Sequence, residues 1–234
     1  MKVVAIDCSA KAVSVALADN GKLIAEGFLN IKLTHSETLM PMVEQILTNS
    51  KITLNDIDAF AVTAGPGSFT GVRIGISALK GMAFNDEKPV YPFSTLMAMP
   101  LVLDKSYSGV VCALMDARRN QFYNAVFEIK NGEIIRLTED RLISAEELLN
   151  ELTALNNKVL LMGDGAELFY TLSNEHSALT LAPETVRLQR ASGIAVAASS
   201  GKNSPEAVTP TELQTVYLRK SQAEREREEK LLKK

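Results

Sequence analysis

The 234 residues are 46% hydrophobic and 23% charged, with a formal net charge of −3. That is enough apolar material for one large domain or two small ones, and too little positive charge to hold nucleic-acid phosphates tightly without a partner. Asp7 interrupts the opening apolar run too early for a signal peptide, and no later stretch nears the roughly 20 apolar residues of a membrane span, so a cytoplasmic protein is expected. Cys8 and Cys112, each inside a strand-like apolar run, read as packed core rather than a disulfide.

Residues 3–6 form a short β-branched run that predicts a buried strand. Two further runs, 12–18 and 23–28, flank Asn20-Gly21, a pair that tolerates the positive φ of a type I′ turn and predicts an antiparallel hairpin. Thr34-His35-Ser36-Glu37 is a capping box, since hydroxyl and carboxylate each satisfy an orphan amide, and it opens a helix to about residue 50, kinked at Pro41. A strand over 57–63 is broken by Gly65-Pro66-Gly67. A helix over 70–85, a strand at 89–91 and a third helix over 95–103 follow.

After a break at 105–109 the opening pattern returns. Residues 110–115 end in Asp116 as the first strand ends in Asp7, and 121–129 pairs with 133–137 around Lys130-Asn131-Gly132. Two successive units of strand, Asp, strand, Asn-Gly, strand and helix indicate an internal duplication. The expected architecture is α/β, with subdomains at 1–105 and 106–218, each a mixed sheet flanked by helices. The second unit continues with a helix over 144–155, a strand over 158–162 and a small-residue helix over 191–200. The charged tail, 219–234, reads as a solvated or disordered segment, or as a docking element for a third component.

The run Thr63-Ala64-Gly65-Pro66-Gly67-Ser68-Phe69-Thr70-Gly71-Val72-Arg73-Ile74-Gly75 resembles the signature of the TsaB (YeaZ) family. That family is the smaller relative of TsaD, the enzyme that transfers a threonylcarbamoyl group to tRNA. Asp7-Cys8-Ser9, His35-Ser36-Glu37 and Asp116-Ala117-Arg118 match in the same order, so the likeness spans the chain. It implies the duplicated actin-like (RNase H-like) fold.

Physically, the signature is a strand ending in glycines before a helix capped by Ser68 or Thr70. Such a helix start offers backbone amides to an anion, with Arg73 adding charge. The alternative is that Gly65 and Gly67 serve only a sharp turn and tight helix packing. Asp7 and Asp116 stand where actin-like ATPases and kinases hold metal–nucleotide. The loop after Asp7, however, reads Asp7-Cys8-Ser9-Ala10-Lys11 and lacks the phosphate-wrapping glycine usual in those families. Gly163-Asp164-Gly165 is at most a remnant adenosine loop. TsaD-like enzymes carry a His-x-x-x-His metal pair; the equivalent stretch, 91–98, has neither histidine nor carboxylate, and His35 and His176 lie in separate halves. No catalytic residue and no metal site are therefore assigned.

In the first helix Leu39, Met40, Met42, Val43, Ile46 and Leu47 cover an arc of about 160°, against about 100° for an ordinary surface helix. In the second, Gly71, Gly75, Ala78 and Met82 form a small-residue stripe that admits a close helix. Burial within the chain is one reading; a helix–helix interface with another subunit, at Leu39, Met42, Val43, Ile46, Leu47, Gly71, Gly75, Ala78 and Met82, is the favoured one.

The resemblance implies a non-catalytic activator that scaffolds a TsaD-like catalytic subunit, with a TsaE-like P-loop ATPase as third member. The modified base is the adenosine next to the anticodon of tRNAs reading A-starting codons, and tRNA is touched only indirectly. A homodimer through the same surface is expected when the partner is missing. No cofactor is assigned to this chain alone; ATP or ADP is left open at the interface of the complex. The alternatives are a small actin-like ATPase or kinase using Asp7 and Asp116, and a metallopeptidase, against which the missing histidines argue.

Overall fold

β-Branched runs punctuated by Asn-Gly build the start of the chain as expected. In the computed structural model, which describes residues 1–31, 33–84 and 86–219, β1 (Lys2–Asp7), β2 (Val13–Asp19) and β3 (Lys22–Leu29) form an antiparallel meander. Asn20 and Gly21 take φ of 48° and 78° at its turn, the left-handed values that this dipeptide supplies at least strain. Glu37 accepts from both the amide and the hydroxyl of Thr34 and so fixes the start of α1 (His35–Asn49), which runs unbroken through Pro41. β4 (Ala59–Gly65) joins β1 in parallel, α2 (Phe69–Ala83) crosses over, and β5 (Val90–Ser94) joins β4 in parallel.

The predicted third helix is cut short. α3 spans only Thr95–Ala98, because Pro100 cannot donate to the preceding turn, and the chain continues as a 3₁₀ turn over Pro100–Val102. β6 (Gly109–Asp116), β7 (Gln121–Lys130) and β8 (Glu133–Arg136) then repeat the meander. β9 (Arg141–Ser144), α4 (Ala145–Ala154), β10 (Val159–Met162), α5 (Ala166–Leu172), β11 (Leu179–Leu181), α6 (Glu184–Arg187) and α7 (Ala191–Ser200) complete it.

The first sheet has the order β3-β2-β1-β4-β5; the second, read from β8, is β8-β7-β6-β10-β11 with β9 also on β7. In each lobe the first two strands are antiparallel and the crossover strands parallel. The two lobes therefore share one topology, and the chain has the duplicated actin-like, RNase H-like fold. Both cysteines are free and buried, and burial pushes their thiols up.

The 105/106 division separates the sheets but not the packing. α7 returns to cover the outer face of the first sheet with Ala191, Ile194, Ala195 and Ala198 against Val3, Ala5, Ala16 and Ala61. A helix of small residues lies close to a sheet face lined with alanines, so the segment after 190 belongs to the first lobe. Beyond it Val208 pairs with Val90, and Leu213 is buried in the first lobe's core. Apart from Arg219, the charged tail expected at 219–234 lies outside the described residues. No helix among the described residues is long and apolar enough to cross a membrane.

Candidate functional site

β1 and β6 deliver Asp7 and Asp116 to equivalent ends of the two sheets. Asp7 is fully buried; its Oδ1 accepts from the Ser9 amide at 2.9 Å and the Ser9 hydroxyl at 2.6 Å. Its Oδ2 has no hydrogen-bond partner, and neither has the buried Thr63 hydroxyl that faces the carboxyl. Burial raises the Asp7 pKa above the usual carboxylate range, with the Ser9 and Thr63 hydroxyls and the charge of His35 opposing it. Asp116 is half-exposed and holds the Arg118 amide at 2.7 Å and its guanidinium at 3.5 Å. Asp164, between β10 and α5, is also raised, first by burial; Gln189 donates to it at 3.2 Å, the charge of Asp116 raises it further and that of Lys11 opposes. The sequence marked this loop by its glycines, not by its carboxyl.

The space in front of Asp7 is taken up by the chain itself. The Ser9 carbonyl accepts from the Ser68 amide at 2.7 Å, and Ser68 Oγ accepts from the Gly71 amide at 3.1 Å. A Cβ on Gly71 would stand 2.1 Å from the Cys8 carbonyl oxygen. His35 Nε2 is 2.8 Å from the Ala10 carbonyl oxygen, pinning the far side of the same loop. Gly65 takes a φ of 120°, and a Cβ there would meet the Val216 carbonyl at 2.2 Å. Of the predicted anion-site residues, Asp7, Ser9, Gly65, Gly67 and Ser68 do come together, but their polar groups largely satisfy one another. Thr70 is exposed.

Arg73 leaves this group altogether. It points outward, its Nε donating to the Tyr217 hydroxyl at 2.9 Å and its guanidinium lying 3.8 Å over the Phe69 ring. The anion-binding role predicted for Arg73 is corrected accordingly: its partners are aromatic rings on the outer surface. In the stretch where the histidine pair was sought, Ser94 donates to Asp140 and caps the amides of Leu96 and Met97.

The two helices need a second correction. Leu39, Met42, Val43, Ile46 and Leu47 are buried in the core that α1, α2 and the first sheet share. Met42 and Ile46 close on Gly27, while Gly75 lies over Ile6 and Cys8 and Gly71 against the Cys8 carbonyl. The wide arc of α1 is filled by the chain's own sheet on one side and by α2 on the other, so these seven residues are buried by the chain itself and present little surface to a partner. Ala78 and Met82 remain half-exposed. The outward face the two helices do present carries Met40, Phe69, Ile74, Ser77 and Phe84, the last 74% exposed. A shallow cavity of about 440 Å³ lies on it, lined by Phe69, Thr70, Arg73, Ile74 and Ser77. The sequence missed this face because Met40 and Phe84 look like ordinary helix apolars until the buried stripe is assigned.

This geometry has close relatives. The family model described as TsaD, tRNA N6-adenosine threonylcarbamoyltransferase, matches residues 30–226. The tRNA threonylcarbamoyladenosine biosynthesis protein TsaB of Escherichia coli is 34% identical over 225 residues, covering 95% of this chain and 96% of that protein. Its Bacillus subtilis counterpart is 30% identical over 168 residues, 72% of this chain and 73% of that one. The solved structure of YeaZ from Pseudomonas aeruginosa superposes with a TM-score of 0.77 at 26% identity, covering 93% of this chain and 99% of that one. The chain belongs to the TsaB (YeaZ) family of tRNA threonylcarbamoyladenosine biosynthesis proteins.

Proposed function

We propose that this chain is the non-catalytic subunit of the complex that places a threonylcarbamoyl group on the adenosine beside the anticodon in tRNAs reading A-starting codons. In that role it docks on a TsaD-like catalytic subunit and holds it in an active geometry, in the cytoplasm, with a TsaE-like ATPase as third member. The observation that carries the reading is the exposed apolar face on α1 and α2. Met40, Phe69 and Phe84, each more than a third exposed, leave water only if another surface covers them. The same face supports a homodimer when the catalytic subunit is absent. Any nucleotide belongs to the boundary of the complex, where the partner supplies the missing contacts.

The cleft supports this division of labour. A kinase or ATPase needs its carboxylate open to a metal–nucleotide complex, whereas Asp7 lies under Ser9, whose carbonyl is taken by the Ser68 amide. The net charge of −3 likewise favours indirect contact with tRNA.

The test is co-elution of the full chain with its TsaD-like partner, comparing wild type with Ile74→Glu. A charge in the middle of a docked apolar face is expected to abolish the complex, and because half-buried Ile74 also packs on the edge of the first-lobe core, the melting temperature of the free variant is measured alongside to show that it is folded. Undiminished co-elution of the variant would show that the docking face lies elsewhere.

A further inference from the structure

After α7, which already packs on the first lobe, the chain runs on across that same lobe. Val208 exchanges both backbone hydrogen bonds with Val90, at 2.9 and 2.8 Å. Leu213 is buried, and the Val216 amide donates to the Ala64 carbonyl at 2.7 Å. Arg219 donates across the cleft to the Ala117 carbonyl at 2.7 Å. Segment 208–219 is thus held at four places along its length, which makes it a fixed part of the surface rather than a loose flap.

Between the last two of these anchors sits Tyr217. Its ring stacks on Phe69 with centroids 4.9 Å apart, and its hydroxyl accepts from Arg73. Phe69, Tyr217 and Val216 stay 37%, 39% and 49% exposed. Two stacked aromatics with an arginine packed against them, beside an open cavity, is the composition that dominates binding energy at protein interfaces. Because these side chains abut the outward face of α2, a subunit seated there meets Tyr217 as well.

We propose that segment 208–219 is a working part of the partner-docking surface, with Tyr217 as an anchor presented beside Phe69 and Arg73 to the TsaD-like subunit. This rests on the docking reading above. Its anchoring means that little ordering has to occur on association, which favours a shared surface over a cover that must first leave.

The test measures binding of the full chain to the purified TsaD-like subunit by calorimetry, with Tyr217→Ala, Tyr217→Phe and Ile74→Glu. Hydrogen exchange on the wild type is followed with and without partner. The expected result is about a tenfold or greater loss for Tyr217→Ala, as for other aromatic anchors, a smaller loss for Tyr217→Phe, and protection of amides 214–218 together with those of α2. If Ile74→Glu abolishes binding while Tyr217→Ala binds as wild type and amides 214–218 are not protected, the anchor is refuted and the docking face stands. If neither variant weakens binding, both fall. Tighter binding by Tyr217→Ala would make the segment a competitor for the face and overturn the proposal. The exchange measurement needs no substitution, so it decides even if Tyr217→Ala melts early.

Discussion

The contact between the start of α2 and the loop after Asp7 can be tested by adding one methyl group. Gly71 is the third residue of α2, and an alanine Cβ there would stand 2.1 Å from the Cys8 carbonyl oxygen, far inside contact distance. The obstacle is backbone and cannot rotate away. It is held in turn by the Ser9–Asp7 hydrogen bonds and by the Ser68 amide on the Ser9 carbonyl. Overpacking of this kind costs about 1–3 kcal/mol or more, whereas replacing a helical glycine with alanine gains up to about 1 kcal/mol. Since the clash is with anchored main chain, the upper end of the cost applies, and Gly71→Ala is expected to destabilise by about 2 kcal/mol net. Gly81 is the internal control: it lies in the same helix with no heavy atom within 4 Å of its would-be Cβ. Gly81→Ala should therefore gain about 0.5–1 kcal/mol. Urea unfolding of both variants, with m-values compared to confirm an unchanged transition, is the assay. A Gly71→Ala protein as stable as wild type would refute the packed-loop account of the glycine signature.

Two further outcomes follow from the same structure. Leu39→Ala, at a fully buried site of the α1–sheet core, should lose about 2–5 kcal/mol in urea unfolding, although its position on the helix wheel alone would have allowed a surface role. Asp7→Asn addresses the buried carboxyl. Because the folded pKa is raised, the native state holds its proton longer than the unfolded one, so stability falls as pH rises from the ordinary carboxylate value through the raised one. The asparagine variant should melt higher than wild type at neutral pH and lose that advantage in acid; a variant that melts lower at every pH would contradict the assignment of Asp7 as an acid whose charge burial disfavours.

Much of this fold is legible in the residues. The Asn-Gly turns, the Thr34–Glu37 capping box and the repeated strand ending in aspartate give the meanders, α1 and the duplication, because each is local chemistry. What the residues hide is long-range. The width of the α1 apolar arc reports how much surface is buried but not against what, and the chain itself covers it with sheet and α2. The partner-facing assignment of Leu39, Val43 and their neighbours failed for that reason. β9, β11, α5 and α6 run 3 to 7 residues and are stabilised by neighbours rather than by periodicity of their own. The return of α7 and segment 208–219 to the first lobe, and the turning of Arg73 away from the cleft toward Tyr217, depend on where distant segments meet.

The central claim is that this chain makes no bond itself yet is needed by the subunit that does. Its most direct test is threonylcarbamoyl transfer to tRNA by the reconstituted TsaD-like subunit, TsaE-like ATPase and adenylate-forming enzyme, with and without this chain. The account predicts product only when the chain is present, full activity with Asp7→Asn, whose carboxylate it assigns to packing, and none with Ile74→Glu. Equal product without the chain, or loss of turnover in Asp7→Asn with the complex intact, would contradict it.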